Sequence, residues 1–246
     1  MNEKEFKIRL DKFLVDTFVG TRKQVKTLIK QKRVKVNQKI ITNPDFNVFT
    51  KEDEVCLDDK VLTFQEHYYF ILNKPSGYVC AKEDNINQTI MELFKSLPSH
   101  LVEKLFPVGR LDKDTEGLLI VTTDGIFNHL VSSPTHHIQK TYYVEYEEQL
   151  LDNACEILAK GLKIKNESFL PAKLEPITKN SCYLTICEGK FHQVKKMIHQ
   201  VGGVVTYLKR EKIGELVLPQ NLALGEFLAM KQDDIYRLMK IYKKGN

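Results

Sequence analysis

The chain has 246 residues, 42% of them hydrophobic and 28% charged, with a formal net charge of +5. That balance belongs to a folded globular protein of one large or two ordinary domains, not to a disordered segment. No apolar run approaches the roughly 18 residues a membrane helix needs, and the N-terminal MNEKEFKIRL has no apolar signal core. Five scattered cysteines without CxxC spacing argue against a disulfide framework or zinc knuckle, and for a reducing cytoplasm.

The charge is unevenly placed. Residues 1–40 hold 12 Lys and Arg against 4 acids, a local +8, so the remainder sums to −3. Such asymmetry reads as a basic module for a polyanion attached to a near-neutral body. Within it, Leu10, Phe13, Leu14 and Phe18 recur at helical spacing over residues 8–19. A second helix is expected after Gly20, because Thr21 and Gln24 have the spacing of a capping box. On that helix Val25, Leu28 and Ile29 share one side, and Arg22, Lys23, Lys26, Lys30 and Arg33 fall within about a 100° arc on the other. RVKVNQKII then reads as a hairpin turning at Asn37-Gln38. The cationic stripe is either a phosphate-tracking surface, which gains affinity by displacing counterions, or an ordinary solvated face.

Residues 50–60 (TKEDEVCLDDK) turn acidic, and a strand pattern restarts in YFILNKPSGYVC. A boundary is therefore expected near 60–66, dividing a domain of residues 1–60 from one of 66–246. The runs LLIVTTD, TYYVEY, CYLTIC, VVTYL and ELVL alternate with fewer helices, which predicts an α+β body on a largely antiparallel sheet. Nucleotide, metalloprotease and serine-hydrolase signatures are absent. His136 and His137 are adjacent, so on a strand they would face opposite sides and not share a metal.

Three segments carry candidate chemistry. In VGRLDKDTEGLLIVTTDG (108–125), Arg110 and Asp112 stand on a loop running into a strand. They are either site residues fixed by the sheet or a surface turn with a local ion pair. In KTYYVEY (140–146), alternation puts Tyr142, Val144 and Tyr146 on one face and Tyr143 and Glu145 on the other; an inward tyrosine is either a base-stacking ring or plain core. In ICEGKFHQVKKMIHQVGG (186–203), a helix over about 191–201 would bury Phe191, Val194, Met197, Ile198 and Val201, with His192 and His199 further out. Lys195 sits at the edge of that stripe. It either snorkels to water or is half-desolvated beside a carboxylate.

The pattern RLDKFL…TRKQVKTLIKQKRVKVNQK, over residues 8–55, resembles the small RNA-binding module first known from a small-subunit ribosomal protein and also found in tyrosyl-tRNA synthetases. Downstream, three ordered motifs resemble the pseudouridine synthases that act on ribosomal RNA. They are Gly109-Arg110-Leu111-Asp112; Lys140, Tyr142 and Val144; and Glu188, Gly189, Gln193, Val194 and Met197. NKPSGYVC (73–80) and REKIG (210–214) also look like that family. SSPTHHIQKTY and GKFHQVKKM look most like its small-subunit members, since large-subunit relatives more often show asparagine-arginine where Phe191-His192 stand. Lys190 replaces a usual arginine, losing the forked donor, and Thr21 replaces a usual serine.

The resemblance implies an N-terminal RNA-binding domain and a catalytic domain on a mainly antiparallel mixed sheet. It implies isomerisation of one uridine of 16S ribosomal RNA to pseudouridine, by base flipping and an aspartate-dependent mechanism with no cofactor and no metal. Asp112 is then the catalytic carboxylate, acting on sugar or uracil or stabilising charge, with Lys195 as its partner and Tyr142 against the uracil ring. Arg110, Lys140, His192 and Gln193 would contact substrate in the body, and Arg22, Lys23, Lys26, Lys30 and Arg33 would do so in the basic module. The implied partner is ribosomal RNA, free or in an assembly particle, met by a monomer. A large-subunit (23S) enzyme of the same family and a non-catalytic rRNA-binding assembly factor are the alternatives.

Overall fold

A computed structural model describes residues 7–244, with side chains through residue 240. The chain forms two compact units, Met1–His67 and Tyr68–Asn246. The break falls one residue past the charge-reversal boundary of 60–66.

In the first unit, β1 (Lys7–Arg9) leads into α1 (Leu10–Asp16) and α2 (Arg22–Lys30). Five short strands follow: β2 (Val34–Val36), β3 (Lys39–Ile40), β4 (Asn47–Phe49), β5 (Val55–Leu57) and β6 (Lys60–Val61). They form a β3-β2-β5-β6 sheet and a β1-β4 pair around a core that includes Leu10, Phe13, Leu14, Val25, Ile29 and Val34. Helix α1 stops at Asp16, so Phe18, expected on its stripe, lies beyond its end at φ 63°. Helix α2 starts at the anticipated capping box: the Gln24 N–H donates to Thr21 Oγ1 at 3.4 Å and the Thr21 N–H to Gln24 Oε1 at 2.8 Å. Asn37 and Gln38 turn the hairpin at φ 48° and 66°, the type I′ geometry whose twist matches paired strands.

The acidic stretch belongs to this unit. Strand β5 pairs with β2, and the Asp58-Asp59 turn folds back on the basic hairpin. Lys35 Nζ donates to Asp59 Oδ1 at 2.6 Å, and the Arg33 guanidinium forks onto Asp58, with Nε 2.9 Å from Oδ1. Arg33 therefore lies past the end of α2, on the hairpin, with its charge already matched. The cations left exposed on α2 are Arg22, Lys23, Lys26 and Lys30.

The second unit runs β7 (Tyr69–Lys74), α3 (Ser99–Val102), β8 (Phe106–Val108), β9 (Glu116–Thr122), α4 (Gly125–Ser132), β10 (Lys140–Glu147) and α5 (Ala154–Ala159). It continues with β11 (Leu162–Ile164), β12 (Glu167–Phe169), β13 (Lys173–Thr178), β14 (Ser181–Ile186), α6 (Gln193–Gln200), β15 (Val204–Ile213), β16 (Leu216–Val217), β17 (Phe227–Ala229) and α7 (Gln232–Lys244). The main sheet has the order β13-β14-β10-β15-β9-β7-β17, with β8 beside β9 and β16 beside β15. Among the described strands only β9 and β15 pair in parallel, so the α+β class with a largely antiparallel sheet holds.

Strand β9 is buried on both faces, which is why LLIV reads as a continuous apolar run. Leu118 and Ile120 pack with Phe127 and Val131 of α4 and with Ile235 and Leu238 of α7. On the strand beside it, Phe70 meets Phe94 and Phe227 at ring separations of 5.7 and 5.5 Å. His136 and His137 lie not on a strand but in a 3₁₀ turn after α4, with a His136 ring nitrogen 2.9 Å from the Leu130 carbonyl.

Among the described residues, three cations on strands of the sheet are buried: Lys74, Lys140 and Arg210. The Lys140 ammonium donates to the Ile138 carbonyl at 2.9 Å. Burial, with the Arg210 charge adding to it, pushes its pKa down from 10.5 to about 8. Lys140, 7% exposed, lies on the same buried face of β10 as Tyr142.

Gly117 sits at φ 99° where β9 meets β15, and a Cβ there would lie 2.3 Å from the Arg210 carbonyl oxygen. Gly117→Ala should lower unfolding stability by about 2–4 kcal/mol, read from urea titrations. An unchanged midpoint would refute the close approach. Between its folded pKa of about 8 and the unfolded 10.5, Lys140 binds more protons unfolded than folded, so its penalty fades as pH rises. Lys140→Met should therefore raise the melting temperature most below pH 8, and the gain should shrink by pH 10.5. A pH-independent gain would contradict this.

Candidate active site

Asp112 stands on the loop from β8 to β9, and that loop is tied down from below. The fully buried Lys74 ammonium donates to the carbonyls of Thr115 at 2.8 Å, Lys113 at 3.1 Å and Pro75 at 3.0 Å. Its burial pushes the Lys74 pKa down, against the pull of Asp114, Glu116 and Asp112 nearby. The Leu111 N–H donates to the buried Cys80 Sγ at 3.3 Å, and the Gly77 N–H to the Lys113 carbonyl at 2.8 Å. These bonds fix the backbone on either side of Asp112. The carboxylate is left with 24% side-chain exposure.

The start of α6 supplies the opposite wall. The buried Glu188 carboxylate accepts from the Leu170 N–H and from Gln193 Nε2, each at 2.8 Å. Gln193 Oε1 in turn accepts the Lys190 N–H at 3.0 Å. Gln193 lines the recess, but its amide is engaged on both sides. These bonds shape the turn from which α6 starts. The helix begins at Gln193, not near 191, and His192 caps it in the left-handed conformation at φ 54°. This turns the imidazole toward Asp112, with Nε2 3.8 Å from Oδ1. Phe191, expected in the buried stripe, is 71% exposed and lies outside it.

Lys195 is half-desolvated between two carboxylates, a sharing that spacing did not foretell. Its ammonium is 3.5 Å from Asp112 Oδ2 and 2.7 Å from both oxygens of Asp114. Burial acts to raise the Asp114 pKa, but the hydrogen bond and charge of Lys195 win and hold it below the ordinary carboxylate value.

A recess joins these groups. Asp112, Arg110, Tyr142, His192, Thr115 and Leu208 line its inner part, and the outer part has a volume of about 500 Å³. Tyr142 comes from β10, where alternation buries it with Val144 and Tyr146. Asp112, Tyr142, Arg110, His192, Gln193 and Lys195 are thus brought together, and Lys140 lies two residues from Tyr142 on the same face of β10. Arg22, Lys23, Lys26 and Lys30 belong to the first unit. Lys74, Cys80, Asp114 and Glu188 were not singled out as site residues from sequence. The signal for Lys74 was a lysine ending the apolar strand YFILNK; for Asp114, a second acid two positions after the first.

A family model described as RNA pseudouridylate synthase matches residues 68–200, and one described as S4 domain matches residues 8–55. The chain is 39% identical over 236 residues to the ribosomal small subunit pseudouridine synthase A of Haemophilus influenzae, covering 95% of this chain and 100% of that one. The Escherichia coli protein of that name is 40% identical over 232 residues, at 93% and 98% coverage. Among solved structures, a pseudouridylate synthase superposes with a TM-score of 0.66 at 38% identity, covering 94% of this chain and 99% of that one. With relatives matched along nearly their whole length and the family pattern running through the walls of the recess, the chain belongs to the RNA pseudouridylate synthase family.

Proposed function

We propose that this protein isomerises one uridine of 16S ribosomal RNA to pseudouridine, without a cofactor, acting as a monomer in the cytoplasm during small-subunit assembly. The observation that carries the reading is the recess in which Asp112 and Tyr142 meet, with Lys195 in reach of the carboxylate. The two relatives named for the small ribosomal subunit support the choice of RNA.

The reaction breaks the bond from ribose C1′ to uracil N1, turns the base, and joins C1′ to C5. C5 loses a proton and N1 gains one, so no oxidant, reductant or phosphate donor is needed. A uridine in folded RNA is flipped out to be reached, at a cost recovered by stacking and hydrogen bonds in the pocket. Asp112 is the carboxylate that acts as the glycosidic bond breaks. Lys195 orients it and offsets its charge. Tyr142 stacks on the uracil, contributing about 1–3 kcal/mol. Arg110, at the mouth, fills the space the flipped base leaves or grips a neighbouring phosphate. Arg22, Lys23, Lys26 and Lys30 of the first unit follow the phosphate backbone.

Asp112→Asn should bind RNA normally yet form no pseudouridine, read as carbodiimide-dependent reverse-transcription stops on 16S and 23S RNA. Product from that variant would remove Asp112 from the chemistry, and stops in 23S RNA alone would reassign the substrate. Tyr142→Phe should keep most activity, since the ring does the stacking. Replacing the four α2 cations by Gln should flatten the slope of log affinity against log salt by about 0.7 per lost phosphate contact. An unchanged slope would exclude α2 as the docking face.

A further inference from the structure

We propose that Phe191, backed by His192, is a stacking shelf for a nucleobase flanking the target uridine; the inference rests on the reading of the recess as an RNA-modifying site. Phe191 is an aromatic ring left 71% exposed, at a position where helical spacing would have buried it. It is nonetheless held: its ring stacks on the His192 imidazole at 3.8 Å between centroids and 21° between planes. His192 takes a left-handed backbone at the start of α6.

The shelf is continuous with the reacting centre. His192 reaches within 3.8 Å of Asp112, and Phe191 lines the outer recess with His192, Arg110 and Lys190. Two lysines, each paired with a glutamate, stand beside the ring. The Lys196 ammonium lies 5.6 Å from the Phe191 ring centroid and is anchored to Glu167 at 2.5 Å, while Lys190 is anchored to the Ser168 carbonyl. Both anchors come from the β11–β12 hairpin, which holds the cations at the edge of the ring. An exposed aromatic face beside the recess matches single-stranded nucleic acid, which offers a π-face on every base. The inner recess, with Tyr142 and Asp112, is where the target base belongs. Phe191, at the rim, is placed for its neighbour along the strand.

The test compares full-length Phe191→Ala, Phe191→Leu and Phe191→Trp with the parent protein on ribosomal RNA. KM for pseudouridine formation should rise roughly tenfold or more in the Ala and Leu variants and return toward the parent value in Trp, with kcat within about twofold throughout. In a target-containing RNA fragment, 2-aminopurine next to the target should be quenched on binding the parent protein, but not on binding Phe191→Ala. Unchanged KM in the Ala variant, or Leu behaving like the parent, would overturn the shelf; the latter would point to an apolar protein contact instead. A fall in kcat at constant KM would also overturn it. If the parent protein makes no pseudouridine, the functional reading fails, and 2-aminopurine quenching in single-stranded 16S RNA fragments, present with the parent and lost with Phe191→Ala, still decides whether the ring is a base shelf.

Discussion

The site depends on one ammonium group shared by two carboxylates. Two acids two residues apart on one loop repel each other, and the cation between them lets Asp112 line the recess while Asp114 stays largely exposed beside it. Lys195 serves Asp114 with two short bonds and stands slightly further from Asp112, leaving that carboxylate accompanied but not locked. The rest of the unit keeps both partners in place. Lys74 and Cys80 secure the loop from beneath, and the Glu188–Gln193 bond fixes the turn from which α6 launches Lys195. None of these supporting groups needs to touch a substrate to matter.

The first unit uses charge differently. Its acidic tail folds back on the hairpin and matches Arg33 and Lys35, while Arg22, Lys23, Lys26 and Lys30 stay exposed on α2. Surface ion pairs of this kind add little stability. Their effect is to choose which cations stay free for a polyanion. The second unit, besides its surface lysines, buries Lys74, Lys140 and Arg210, each donating to a backbone carbonyl. Net charge read along the chain does not separate these two uses.

What was legible in the sequence is what local rules decide. The Thr21 capping box, the Asn37-Gln38 turn and the alternation that buries Tyr142 each depend on residues a few positions apart. What was illegible depends on partners far along the chain. Asp114 and Lys195 are separated by 81 positions, and Arg33 and Asp58 by 25, so neither pairing is visible as a pattern. Phe191 failed for another reason: helical periodicity was extended two residues past the true start of α6, where His192 breaks the helical backbone. The motif resemblance picked out Asp112, Tyr142 and Lys140, but not that the Lys140 ammonium bonds to the Ile138 carbonyl, a contact that needs the folded backbone.

The lone parallel pairing in the sheet bears on how the protein reaches its working form. An antiparallel neighbour can arrive by a short turn, but β9 waits for β15, whose Arg210 meets the Leu118 carbonyl across 92 positions of chain. Closing that loop brings its reward only when nearly the whole body is present, the kind of contact that slows folding. Until then the Asp112 loop has its floor but no facing wall, and a newly made chain holds every residue of the site without possessing the site.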